Sequence, residues 1–249
     1  MAYVGPAVSL ESVVLQPEHS LLHQSYRPKF QRHGTVNADG FGCGWFSQAR
    51  PEPAVYRRDK PIWSDRSFAS MAGVISSGAI LAAVRDATTG SSVEESSTAP
   101  FTDSHWLFAH NGLFRGFDGP EGVALRRMLS DRRTGSIRGT SDSEVLFGLI
   151  LDRMDEGVAP MEALRWCVRQ CLELSSGAFN FLLVGSRSIY ATCAGDSLYL
   201  LEGGSRTPGG IVVASEPFDD DPGWRPVPEM SALEANGGVV SLTPLEAGR

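Results

Sequence analysis

Asn111-Gly112, Arg85 and Asp142 are the residues of this chain whose types could carry out chemistry together. An Asn amide and the N–H of a following Gly can both point at one oxygen and hold it as an oxyanion. Glycine suits the second place, because a side chain would obstruct a close approach. The same dipeptide, ahead of Leu113-Phe114, is also the best short-range signal of a hairpin. Taken alone it reads as a plain turn. Arg85 ends the apolar run Ala79 to Val84. Its guanidinium could fork onto a substrate carboxylate, sit as a solvated tip, or be satisfied by Asp86. Thr88 could add a hydroxyl. Asp142 lies in Ser141-Asp142-Ser143-Glu144, a capping-box pattern with an acid in the first turn of a helix. Its carboxylate could instead answer a ligand ammonium. Arg85 and Asp142 would then clamp the carboxylate and ammonium of an amino-acid head.

Other reactive side chains have duller readings. The glycine-dense stretch Asn37 to Trp45 is a tight turn into a strand, or the wall of a site where backbones pack closely. Within it, Cys43 reads as a small buried thiol, since no His-Asp pair at a clear spacing supports a nucleophile. His110 reads as a core or turn histidine. The cysteines Cys43, Cys167, Cys171 and Cys193 form no Cys-x-x-Cys pair, and histidines are not clustered. This argues against zinc and for free thiols in a reducing cytoplasm.

A net charge of -7 over 249 residues argues against nucleic acid or an anionic membrane as partner. The local cluster Arg126, Arg127, Arg132, Arg133 and Arg138 reads as a solvated face. No apolar run approaches the roughly 20 residues that span a bilayer, and no secretory signal is visible.

These residues need elements to hold them. Strands are expected at Met1 to Val4, Gly42 to Ser47, Ala54 to Arg57, Ala79 to Val84 and Trp106 to Ala109. Helices are expected at Ser9 to Leu15, capped by Ser9, and at Asp65 to Ile75. Ser141 to Arg153 is the clearest helix, with Val145, Leu146, Leu149 and Ile150 on one face. Pro160 to Leu174 follows it. Asp86 to Ser104 reads as a long mobile loop. Phe179 to Val184, Ser188 to Cys193 and Leu198 to Leu201 read as an antiparallel meander. Ile211 to Ala214 and Val239 to Leu242 are late strands. Two helices between strand-rich halves give α+β layering.

Taken in order, Val36 to Trp45, Val84 to Thr88, Ala109-His110-Asn111-Gly112 and Gly139 to Glu144 resemble the class II glutamine amidotransferase domain. Val213-Ala214-Ser215-Glu216-Pro217 extends the resemblance over nearly the whole chain. It implies a single domain over 1–249 with a four-layer αββα sandwich of the N-terminal-nucleophile hydrolase type. It also implies an oxyanion hole at Asn111 and Gly112, substrate binding by Arg85, Thr88 and Asp142, and no cofactor or metal. The opening Ala2 to Leu10 is most similar to the ergothioneine-pathway branch, whose members hydrolyse the γ-glutamyl amide of γ-glutamyl-hercynylcysteine sulfoxide. Members of that branch begin Met-Cys-Arg-His, with the cysteine as nucleophile. Met1 here aligns just after those four residues, so a start misassigned four codons downstream is expected, and the 249-residue form is expected to be inactive. Two other functions stay open at this point. One is a glutaminase half supplying ammonia to a partner; the other is a catalytically dead protein that binds γ-glutamyl ligands. The resemblance implies a small-molecule substrate and a cytoplasmic protein, and leaves a homo-oligomer open.

Overall fold

The computed structural model describes residues 1–31, 36–87 and 93–245. The chain opens with strand β1 (Ala2–Ser9), which Ser9 ends by capping helix α1 (Leu10–Val14). The Ser9 hydroxyl accepts the Ser12 N–H at 3.2 Å, the cap expected from the sequence. Helix α2 (Leu21–Gln24), strands β2 (Phe41–Ser47) and β3 (Arg50–Arg58), helix α3 (Arg66–Ala72) and strand β4 (Ser76–Val84) follow. Strands β5 (Phe101–Asp103) and β6 (Trp106–Phe114) precede helices α4 (Pro120–Arg126), α5 (Asp131–Thr134), α6 (Asp142–Asp155) and α7 (Pro160–Leu174). Strands β7 (Gly177–Val184), β8 (Ser188–Cys193), β9 (Tyr199–Glu202), β10 (Ile211–Ala214), β11 (Arg225–Pro226), β12 (Ser231–Asn236) and β13 (Val239–Pro244) complete the order.

The strands form two antiparallel sheets. One runs β11-β9-β10-β1-β4-β2-β3 and the other β13-β12-β8-β7-β6-β5. Alternation along each strand sends side chains to opposite faces and so creates three cores. Ala2, Val4 and Leu81 meet Leu107, Ala109 and Leu182 between the sheets. Tyr3, Phe41 and Ile80 face the other way, onto Val13 of α1 and Phe68 of α3. Phe108 and Phe181 pack under Leu146 and Ile150 of α6 and Leu164 of α7. Each of the Val, Leu, Ile and Phe side chains among them contributes about 2 kcal/mol on burial. The layers are therefore helix, sheet, sheet, helix: an α+β sandwich.

The structure departs from several expectations. Asn111-Gly112 is no turn. β6 runs through it to Phe114, and Asn111 and Gly112 face Asn180 and Phe179 of β7. Partnership with a neighbouring strand overrides the local hairpin preference. The expected meander ends after two strands. β9 pairs with β10 in the first sheet, and β12 takes the place beside β8. Gly195, at φ +110°, turns the chain away between them. The stretch Asp86 to Ser104 contains β5, a strand too short to show a period. Arg133 is not solvated. It is buried between Asp103 (2.5 Å), Asp152 (3.6 Å) and Asp155 (2.6 Å). The capping box is incomplete: Ser141 caps α6, but Glu144 accepts the N–H groups of Arg138 and Gly139 at 2.9 and 2.7 Å.

Candidate active site

A cavity of about 1430 Å³ lies where the start of β1, the end of β4, the second half of β6 and the start of α6 meet. Met1, Arg85, Asn111, Gly112 and Asp142 all line it. The four side-chain or backbone groups singled out from the sequence therefore share one space. Thr88 lies outside the described residues.

Strand geometry explains the placement of Asn111. Leu107 and Ala109 point between the sheets, and Asn111, two residues further, takes the same face. It is exposed, and its exposed surface belongs to the cavity wall. Gly112 sits at φ +153°, and a Cβ there would lie 1.9 Å from the Ala178 carbonyl oxygen. Only glycine allows β6 and β7 to approach so closely at this point. Asn111 and Gly112 thus stand side by side on a strand paired with β7 through this stretch.

Arg85 continues β4 by one residue. Its N–H donates to Gly40 O at 2.8 Å and its carbonyl accepts the Asp39 N–H at 3.0 Å. Burial pulls the guanidinium below its ordinary pKa, against the opposing carboxylates of Asp39, Asp142 and Glu94. Asp142 stands at the first position of α6. Its Oδ2 accepts the Phe114 N–H at 2.9 Å and its Oδ1 accepts the Ser143 N–H at 2.7 Å. The carboxylate is thereby pinned between a helix start and a strand end, with lone pairs left for a ligand. A cation and an anion held this way can grip an amino acid's carboxylate and ammonium.

The Asn37 to Trp45 stretch forms a wall, as one of its sequence readings expects. A Cβ on Gly42 would stand 2.2 Å from the Ala99 carbonyl oxygen, so β2 packs directly on the backbone before β5. Asp39 accepts the Ala87 N–H at 2.8 Å and shapes the turn after Arg85. Cys43 is fully buried, and burial pushes its thiol up to about 12, against the lowering pull of the nearby amino terminus. It is no nucleophile.

Two supports had no role assigned from the sequence, although Glu216 stood in the late stretch that carries the resemblance. Glu216 is buried in the cavity wall, where it accepts from the N–H groups of Lys29 and Phe30 at 2.9 and 2.8 Å and meets His19 Nε2 at 2.6 Å. Asn180, opposite Asn111, accepts the Ala194 N–H at 2.8 Å and donates to Asp196 O at 2.8 Å. An acid followed by proline and an Asn inside an apolar strand were the available signals. Among the described residues, no cluster of three or more His, Cys, Asp or Glu could hold a metal ion, and no helix is long and apolar enough to cross a membrane.

Comparison with known proteins identifies the family. The family profile of class II glutamine amidotransferases matches residues 19–208. The γ-glutamyl-hercynylcysteine sulfoxide hydrolase of Mycolicibacterium smegmatis is 39% identical over 246 residues, covering 98% of each chain. Its counterpart from Mycobacterium tuberculosis is 36% identical over 253 residues, covering 100% of this chain and 97% of the relative. A glutamine aminotransferase class-II domain protein from Silicibacter pomeroyi shares the fold, with a TM-score of 0.72 at 24% identity over 98% of this chain and 97% of that one. The chain belongs to the class II glutamine amidotransferases.

Proposed function

We propose that this protein hydrolyses the γ-glutamyl amide of γ-glutamyl-hercynylcysteine sulfoxide, releasing glutamate and hercynylcysteine sulfoxide in ergothioneine biosynthesis. The names of the mycobacterial relatives support the substrate. The observation that carries the reading is the convergence of Arg85, Asp142, Asn111 and Gly112 on one cavity beside Met1. Arg85 takes the α-carboxylate of the glutamyl head and Asp142 its α-ammonium, with Thr88 as an added hydroxyl. This fixes the γ-carbonyl against Asn111 and the Gly112 N–H, which hold the oxyanion of the tetrahedral intermediate. The cavity exceeds the few hundred Å³ that a glutamine-sized ligand needs, which leaves room for a bulky leaving group.

The register of β1 supports this reading of the nucleophile. Ala2 faces Leu81, and Met1 exchanges backbone bonds with Ala82, as acceptor at 2.9 Å and donor at 2.7 Å. Three residues further upstream, the same antiparallel register arrives opposite Arg85. Ala2 and Val4 point between the sheets, so that position points there too. A chain beginning Met-Cys-Arg-His, with its Met removed, would place cysteine there as first residue. The bond from the Met1 nitrogen to Ala82 is one that a peptide N–H makes equally well.

In this mechanism the cysteine's own α-amine takes the thiol proton and the thiolate adds to the γ-carbonyl carbon. Collapse of the intermediate breaks the C–N bond, and the proton passes to the leaving amine. Water then cleaves the thioester, releasing glutamate and restoring the thiol. The whole chain acts as one domain, on a small molecule, in the cytoplasm.

The test is glutamate release from γ-glutamyl-hercynylcysteine sulfoxide. A form preceded by Met-Cys-Arg-His is expected to turn over, and the 249-residue form is not. Robust turnover by the shorter form, or none by the longer, would refute the proposal.

A further inference from the structure

We infer that His110 is a positioning residue that keeps Asp142 available to the substrate's α-ammonium, acting through the Ser143 hydroxyl. This rests on the proposed role of Asp142 as the glutamyl-head anion. His110 lies on the opposite face of β6 from Asn111, with its side chain fully buried beneath the start of α6. Its ring stacks on Phe179 (centroids 6.1 Å apart, 12° between planes) and meets Phe181 edge-on at 5.3 Å.

The hydrogen bonds of the ring set its tautomer. Nε2 lies 2.8 Å from the Ala178 carbonyl oxygen. A carbonyl only accepts, so Nε2 carries a hydrogen. Nδ1 lies 3.1 Å from Ser143 Oγ. In the neutral ring Nδ1 is bare, and the Ser143 hydroxyl must donate to it. That hydroxyl has one hydrogen, and Asp142 Oδ1 stands at the same 3.1 Å as a rival acceptor.

The ring therefore decides where the Ser143 hydrogen goes. While it points at Nδ1, Asp142 keeps its two backbone donors, Ser143 N–H and Phe114 N–H, and offers its remaining lone pairs to a ligand. Without the imidazole acceptor the hydroxyl turns to Oδ1 and competes with the ligand ammonium. The second bond, to Ala178, ties the same ring to β7 beside the oxyanion strand. A Cβ on Gly112 would lie 2.7 Å from His110 Nε2, so the ring leaves no room for a side chain there. One buried side chain thus joins the head clamp to the oxyanion strand.

The test measures calorimetric Kd values of the 249-residue chain for L-glutamine and for the same amide lacking its α-amino group. His110→Phe keeps the ring packing and removes both hydrogen bonds. It is expected to weaken glutamine binding about tenfold and to leave the deaminated ligand unaffected. His110→Gln, which restores a donor and an acceptor, is expected to recover most of the loss. Ser143→Ala, which leaves the ring in place but removes the rival hydrogen, is expected to bind glutamine at least as tightly as the parent. In an Asp142→Asn background the His110→Phe effect should disappear. Equal weakening of both ligands by His110→Phe, or no weakening at all, overturns the inference. Should His110→Phe fail to fold, a marked loss of glutamine affinity in Ser143→Ala overturns it. A parent chain that binds neither ligand sinks the glutamyl-head reading itself, and that outcome is recognised before any variant is made.

Discussion

At the scale of single residues the chemistry rests on few atoms. Replacing Asn111 by Ala in the cysteine-bearing form removes one of the two proposed oxyanion donors. A 100- to 1000-fold fall in kcat, about 3 kcal/mol of transition-state stabilisation, is expected. KM should stay within a few-fold, because the donor acts on charge that develops only during the reaction. Steady-state kinetics check both. Gly112→Ala is expected to be worse and of another kind. Its Cβ would strike the Ala178 carbonyl oxygen, so a thermal melt should show a loss of about 2 kcal/mol or more. That Arg85, Asn111, Gly112 and Asp142 share one cavity was legible from their ordered resemblance to a family, since each local context alone also allowed a turn, a solvated tip or a helix cap. His110 was legible as a core histidine and Glu216 as part of the late matching stretch, but the contacts of neither were. Their importance lies in partners 186 and 33 positions away, which no local pattern encodes.

At the scale of elements, β1 and α5 each carry a prediction. Burial pulls the Met1 amine down to about 5 from its ordinary 8.0, with Cys43 opposing weakly. Between these values the unfolded amine holds a proton and the folded one does not. Stability therefore rises with pH across this window and is lost as pH falls from about 8 to about 5. In a chain extended upstream this nitrogen is a peptide N–H and the dependence vanishes. Thermal midpoints of the two forms at pH 5 to 8 are expected to diverge towards acid, and parallel curves would contradict this. Arg133 joins α5 to β5 and α6 through Asp103, Asp152 and Asp155. Arg133→Ala removes the buried cation these partly exposed carboxylates share and is expected to cost about 1–3 kcal/mol by chemical denaturation. The long helices α6 and α7 were readable because a 3.6-residue period repeats several times within each. β5 and β11 have three and two residues, too few for any period. β12, Ser231–Asn236, carries Glu234 and Asn236, which dilute its apolar signal, although β8 and β13 flank it.

At the scale of the whole molecule, α+β layering was legible and strand order was not. The sequence spaces β7, β8 and β9 as a meander, yet the third strand crosses to the other sheet. That choice is made by packing: Leu200 and Leu201 of β9 are buried in the first sheet's two cores. Sheet exchange of this kind is a property of the complete core. It brings the end of β10, with Glu216, to the same cavity as the end of β4, with Arg85, and the middle of β6, with Asn111. In the proposed function this cavity grips an amino-acid head between Arg85 and Asp142. Calorimetric titration of the 249-residue chain with L-glutamine tests it most directly, since binding needs no nucleophile. Saturable binding is expected in the parent, weakened at least tenfold by Arg85→Ala and by Asp142→Asn. Unchanged affinity in both variants would contradict it.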